Sequence, residues 1–233
     1  DLHDHLKALD EAGLLVTVDR EINKDTEMHP LVRWQFRGGI EEKDRKAFLF
    51  NNVVDSKGKK FDMPVAVGVL AANRQVYALG MGCAVEDVEK RWTEAIANPI
   101  PPKEIPCDEA PCHEIIIEGA DLDKPGNALD AIPVPISTPG WDVGPVATLT
   151  QYVTKDPDTG LQNMGNYRAQ IKGPRRVGMN PSLELRPGIY IHWEKMKARG
   201  EKLPAAVVLG APSCVTFTAA QKLPESLEEI TVA

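Results

Sequence analysis

Apolar positions divide this chain into short elements separated by firm stops. Leu2, Leu6 and Leu9 recur at helical spacing behind Asp1, a good N-cap, and Gly13 ends the run. Leu14–Val18 then reads as a short buried strand, and Leu31–Phe36 as a second helix with Pro30 tolerated in its first turn. Ala47–Val53 and Pro64–Leu70 are β-rich apolar runs, the latter too uniform for a solvated edge. Val85, Val88, Trp92 and Ile96 repeat at helical spacing until Asn98-Pro99-Ile100-Pro101-Pro102 breaks the helix.

The texture changes after Pro99–Pro111, the best linker candidate. Glu114–Glu118, Val146–Lys155 and Leu161–Lys172 carry β-branched and aromatic residues, and Asp156-Pro157-Asp158-Thr159-Gly160 supplies hairpin chemistry between the last two. A helix over Gly188–Arg199 follows, with Ile189, Trp193 and Met196 on one stripe and Gly200 as its stop. Ala205–Leu209 reads as a further buried strand. The expected fold class is α+β: an α/β domain over 1–105 and a mostly antiparallel β domain over 106–233 with a helical excursion.

Composition narrows the classes. Of 233 residues 42% are hydrophobic and 26% charged, which is globular rather than disordered. Nineteen prolines, against about 12 at the usual ~5%, exclude an all-helical bundle. A net charge of −7 argues against a nucleic-acid or anionic-membrane partner. Four cysteines are too few for a disulfide framework, so a reducing cytoplasm is the expected compartment. No apolar run is long enough to span a bilayer, and the start lacks both signal-peptide features and a Met, so the chain is expected to be processed or incomplete.

Gln162-Asn163-Met164-Gly165-Asn166-Tyr167-Arg168-Ala169-Gln170 is the most informative stretch. Alternation sets Gln162, Met164, Asn166, Arg168 and Gln170 on one face, as on any solvated strand. Asn-rich strands are disfavoured, however, and Gly165 in mid-strand suggests a bulge or a close ligand, the bulge bringing Asn163 round to Arg168. A guanidinium beside carboxamides suits a carboxylate or phosphate. Cys107, Cys112 and His113 fall short of a closed zinc site, and Cys214 and Trp92 read as packing.

With Val153–Gly160 before it, Asn163-x-Gly165-x-Tyr167-Arg168-x-Gln170 resembles the central signature of UbiD-type decarboxylases. Leu2–Val18, Phe61–Ala66, Pro133–Pro135 to Gly144-Pro145, His192–Lys195, Gly200–Pro204 and Leu209–Pro212 extend that resemblance in the family's order. It implies a carboxy-lyase that removes or adds CO2 on an aromatic or α,β-unsaturated acid, with prenylated FMN bound on a split β-barrel. Mn2+ or another divalent metal would bridge the flavin phosphate, with K+ nearby, and a homo- or hetero-oligomer would be expected.

By the same resemblance Arg168 orients the substrate carboxylate, and Asn163 helps hold metal and phosphate. Gly165, Asn166, Tyr167 and Gln170 line the cofactor, with Ala219, Ala220 and Gln221 in the loop Thr216–Leu223. Two departures stand out. Gly188 occupies the expected metal-binding histidine position, leaving His192 as a surface residue or substitute ligand and Arg186 to neutralise the phosphate. The family's acidic metal ligand and catalytic glutamates are expected beyond Ala233. A non-catalytic or partner-dependent subunit of a heteromeric carboxylase is the rival reading.

Overall fold

The computed structural model describes residues 1–233. In the first half, α1 (Leu2–Glu11) starts in a capping box in which Asp1 accepts the N–H groups of His3 and Asp4. Strands β1 (Leu15–Val18), β2 (Ile22–Asn23), β3 (Ala47–Phe50), β4 (Val53–Val54), β5 (Lys60–Phe61) and β6 (Val65–Val67) form two three-stranded sheets, ordered β1-β3-β6 and β2-β4-β5. Each sheet has one parallel and one antiparallel pair. Helix α2 (Met28–Arg37) buries Met28 and Val32 against Ile22, Phe50 and Val53, while α1 and α3 (Arg74–Gly80) close a second core of Leu9, Leu14, Val69 and Val76. The run over Pro64–Leu70 contributes only three strand residues, half-buried at a sheet edge rather than inside it.

Helix α4 (Val88–Ala97) carries Trp92 onto Phe217 of the second half, ring centroids 5.2 Å apart. The expected linker Pro99–Pro111 and the chain on to 145 are mostly irregular, with four short 3-10 turns. Glu114–Glu118, expected as a strand, has no pairing partner, and Ile115 and Ile116 remain exposed. Strands β7 (Val146–Ala147), β8 (Gln151–Lys155), β9 (Gln162–Asn166), β10 (Ala169–Gly173), β11 (Arg176–Met179) and β12 (Ala206–Val208) form sheets ordered β11-β10-β7 and β12-β8-β9. The chain is therefore α+β as expected, but these sheets do not close into a barrel.

Helix α5 (Gly188–Ala198) packs on β8 and β9 through Ile189, His192 and Met196. Trp193, expected on the buried stripe, is half-exposed and stacks under Lys197 instead. Strand β12 is exposed at all three residues because it pairs only with β8. Helices α6 (Ser213–Ala219) and α7 (Glu229–Val232) follow; α6 exposes Cys214 and turns Phe217 toward Tyr77 and Trp92. No helix is long and apolar enough to cross a membrane.

Candidate active site

The β8–β9 hairpin builds one wall. Asp156 organises its turn by accepting the N–H of Asp158 at 2.8 Å, and Gly160 takes the left-handed conformation (φ 78°) needed to re-enter β9. The register from Gln151↔Asn166 to Lys155↔Gln162 is unbroken. The bulge expected at Gly165 is therefore absent. Glycine is required there for another reason: a Cβ would lie 2.4 Å from the Tyr167 hydroxyl, which folds back over the strand.

Without a bulge, Asn163 keeps its place on the face opposite Gln162, Met164 and Asn166. It points at Gly188, where a Cβ would come 2.4 Å from its carboxamide carbon. Asn163 Nδ2 donates to Glu229 Oε1 at 2.9 Å, and the Met164 N–H donates to Glu229 Oε2 at 2.8 Å. Asn163 Oδ1 is buried without a partner. Burial raises the Glu229 carboxyl above its ordinary range, although these donors oppose the shift. Tyr167, desolvated and facing the Glu229 charge, is pushed up to about 12 and stays protonated. Asn163, Tyr167, Gly188 and Glu229 thus form a polar corner under the α5 N-terminus.

That corner opens into a cavity of about 510 Å³, within the usual range for small-ligand sites. The cavity gathers Asn163, Gly165, Asn166 and Tyr167 from β9 and its exit, and Ala219, Ala220 and Gln221 from the end of α6. Arg168 and Gln170 do not line it. Strand β9 ends at Asn166, so Arg168 lies exposed in the connection to β10 with no ion pair, and Gln170 belongs to the neighbouring sheet. Glu229 was missed in sequence because it meets Asn163 from 66 positions away; the acidic pair Glu228-Glu229 at the head of a short helix was the available signal.

His192 is buried rather than on the surface. Its Nδ1 hydrogen-bonds the Thr154 hydroxyl at 2.9 Å, and Nε2 faces Asp156 at 3.8 Å. Burial lowers its pKa, with Asp156 opposing. Burial works against the Asp156 charge, but the Lys195 ammonium at 2.6 Å and the turn N–H groups outweigh it and hold this carboxyl below its usual range. Lys195 also reaches Asp158 at 3.0 Å.

A divalent metal does not fit these residues. Position 188 has no side chain and His192 is committed to Thr154 and Asp156, which leaves Asn163 Oδ1 and the Glu229 carboxylate, two donors where a divalent cation takes at least four. No three His, Cys, Asp or Glu side chains converge anywhere in the chain, Cys107, Cys112 and His113 included. A flavin fits the cavity better: it offers mixed polar and apolar walls, backbone groups and a protonated phenol.

Residues 103–233 match the 3-octaprenyl-4-hydroxybenzoate carboxy-lyase Rift-related domain, and residues 6–96 match the N-terminal domain of the same enzymes. The chain belongs to the UbiD family. UbiD-class HmfF from Pelotomaculum thermopropionicum in complex with FMN is 25% identical with a TM-score of 0.81, over 99% of this chain and 47% of that one. An evolved dimeric form of that enzyme in complex with prFMN is 26% identical, with the same TM-score, over 99% and 49%. Vanillic acid decarboxylase from Sedimentibacter hydroxybenzoicus in closed form is 25% identical with a TM-score of 0.82, over 100% and 47%. An uncharacterized protein of Synechocystis sp. is 29% identical over 98% of this chain and 46% of its own length. The chain spans about half the length of these relatives.

Proposed function

We propose that this chain forms the flavin-binding part of a UbiD-type carboxy-lyase, with prenylated FMN in the cavity between β9, the α5 N-terminus and the end of α6. One observation carries the reading. The fold gathers Asn163–Tyr167 and Ala219–Gln221, two sequence segments assigned to the same cofactor, into a single cavity. Flavin complexes among the UbiD neighbours support it.

When bound, prenylated FMN supplies an electron-accepting ring for the departure of CO2 from an aromatic or α,β-unsaturated acid, and for the reverse reaction. The chain's residues supply the surroundings. Arg168, exposed and without an ion pair, is the residue to receive the substrate carboxylate beside the cavity. Tyr167 keeps its proton at Oη, which accepts the Ile189 N–H, and its ring covers Gly165. Glu229 sits where its raised pKa allows the carboxyl oxygen to hold a proton. A second reading, a partner-dependent subunit of a heteromeric carboxylase, is favoured by the glycine at 188 and the half-length match.

The test is to produce the full chain together with a prenyl-flavin synthase and record its absorption spectrum and 13CO2 exchange into aromatic acids. A modified-flavin spectrum with exchange is expected, and Arg168→Ala should abolish exchange while flavin remains bound. A colourless protein without exchange refutes the proposal. Bound flavin with exchange only after a second subunit is added establishes the partner-dependent reading.

A further inference from the structure

The phosphate of a bound FMN needs a counter-charge, and the polar corner does not provide a metal to deliver it. Three cations line the cavity: Arg186, Lys195 and Lys222. Lys195 is already neutralised by Asp156 and Asp158. Lys222 is exposed on the segment after Gln221. Arg186 sits two residues before Gly188, at the entry of α5, and its one ion pair is an exposed contact with Glu194 at 2.7 Å. An exposed pair of this kind is held weakly and exchanges easily for a dianion.

The backbone at Arg186 is unusual as well. Arg186 is the sole non-glycine residue with positive φ, at 42°. Glycine would adopt that conformation without steric penalty, so an arginine here retains a side chain at a conformational cost. An orphaned acceptor lies nearby. Asn163 Oδ1 is buried against Gly188 with no donor, and a guanidinium has five N–H groups, enough for a carboxamide oxygen and a phosphate together.

We propose that Arg186 leaves Glu194 to hold the flavin phosphate directly, one N–H satisfying Asn163 Oδ1, so that phosphate anchoring in this chain is independent of a divalent metal. The inference rests on the flavin reading above but is separable from it. The test compares FMN with riboflavin, which lacks the phosphate. Binding of each to the full chain is followed by flavin fluorescence, before and after EDTA dialysis, for wild type, R186A and R186G, the glycine variant relieving the backbone.

Wild type is expected to bind FMN at least about 10-fold more tightly than riboflavin, as a charge-assisted fork requires. That preference should survive EDTA and fall to within about 3-fold in both variants, with riboflavin affinity unchanged. A preference that EDTA abolishes and both variants retain overturns the inference and leaves the flavin reading standing. Equal weakening of both flavins in R186G also overturns it, because the residue would then be structural. Failure of either flavin to bind wild type overturns the flavin reading and this inference with it.

Discussion

Gly188→Ala tests the geometry of the polar corner without any ligand. The new Cβ would lie 2.4 Å from the Asn163 carboxamide carbon and 2.6 Å from Oδ1, distances that force the carboxamide aside. The carboxamide is the end of a movable side chain, so the cost is set by what holds it, which is the 2.9 Å bond to Glu229. Losing a hydrogen bond to a buried charged group costs about 1.5–3 kcal/mol. Alanine in place of glycine in a helix returns roughly 0.5–1 kcal/mol. The net expectation is destabilisation of about 0.5–2.5 kcal/mol, or a Tm lowered by about 1–10 °C for a domain of this size.

The assay is urea unfolding of wild type, G188A, N163A and the double variant. Once Asn163 is truncated, the methyl has room and the glycine penalty should vanish or reverse. A G188A protein as stable as wild type would refute the packing of position 188 on Asn163. An equal penalty in the N163A background would refute it as well, since the clash would then lie elsewhere.

Three further expectations follow from the same corner and its hairpin. Glu229 has a raised pKa in the folded chain, so the native state binds the extra proton, and stability should fall as pH rises above the ordinary 4.5. Unfolding free energies across that range should show this loss in wild type and not in Glu229→Gln; parallel curves would contradict it. His192 has a lowered pKa, so the native state resists protonation and stability should fall as pH drops below 6.5; His192→Gln should flatten that limb in the same titration. Asp156→Ala removes the turn acceptor and one Lys195 partner, and should cost about 1–2 kcal/mol in urea unfolding; a neutral effect would remove the turn from the determinants of the site.

The local devices of the fold were legible in the sequence. Asp1, Gly13 and Gly200 mark helix ends that caps and left-handed glycines define, and Asp156–Gly160 is the hairpin turn it looked like. What failed depended on partners. Ile115–Ile117 have strand propensity but nothing to pair with, and Ala206–Val208 pair on one side only, so their side chains stay outside. Propensity does not report how many neighbours a strand will have. The site divided in the same way. Asn163, Gly165, Asn166, Tyr167 and Ala219–Gln221, named from a motif, line one cavity, whereas Arg168 follows the end of β9 and falls outside it. Glu229, which meets Asn163 and Met164, is visible only once α7 is folded back onto β9.

That folding back bears on how the β12-β8-β9 sheet meets other molecules. The outward amides of β9 are met by acids: Glu228 accepts the Gln162 N–H at 2.6 Å and Glu229 the Met164 N–H at 2.8 Å. Two side chains thus seal one margin of the sheet as a neighbouring strand otherwise would. The β12 margin has no such seal and presents Ala206-Val207-Val208 to solvent. The sheet is therefore polarised, with its β9 margin capped by carboxylates and its β12 margin open.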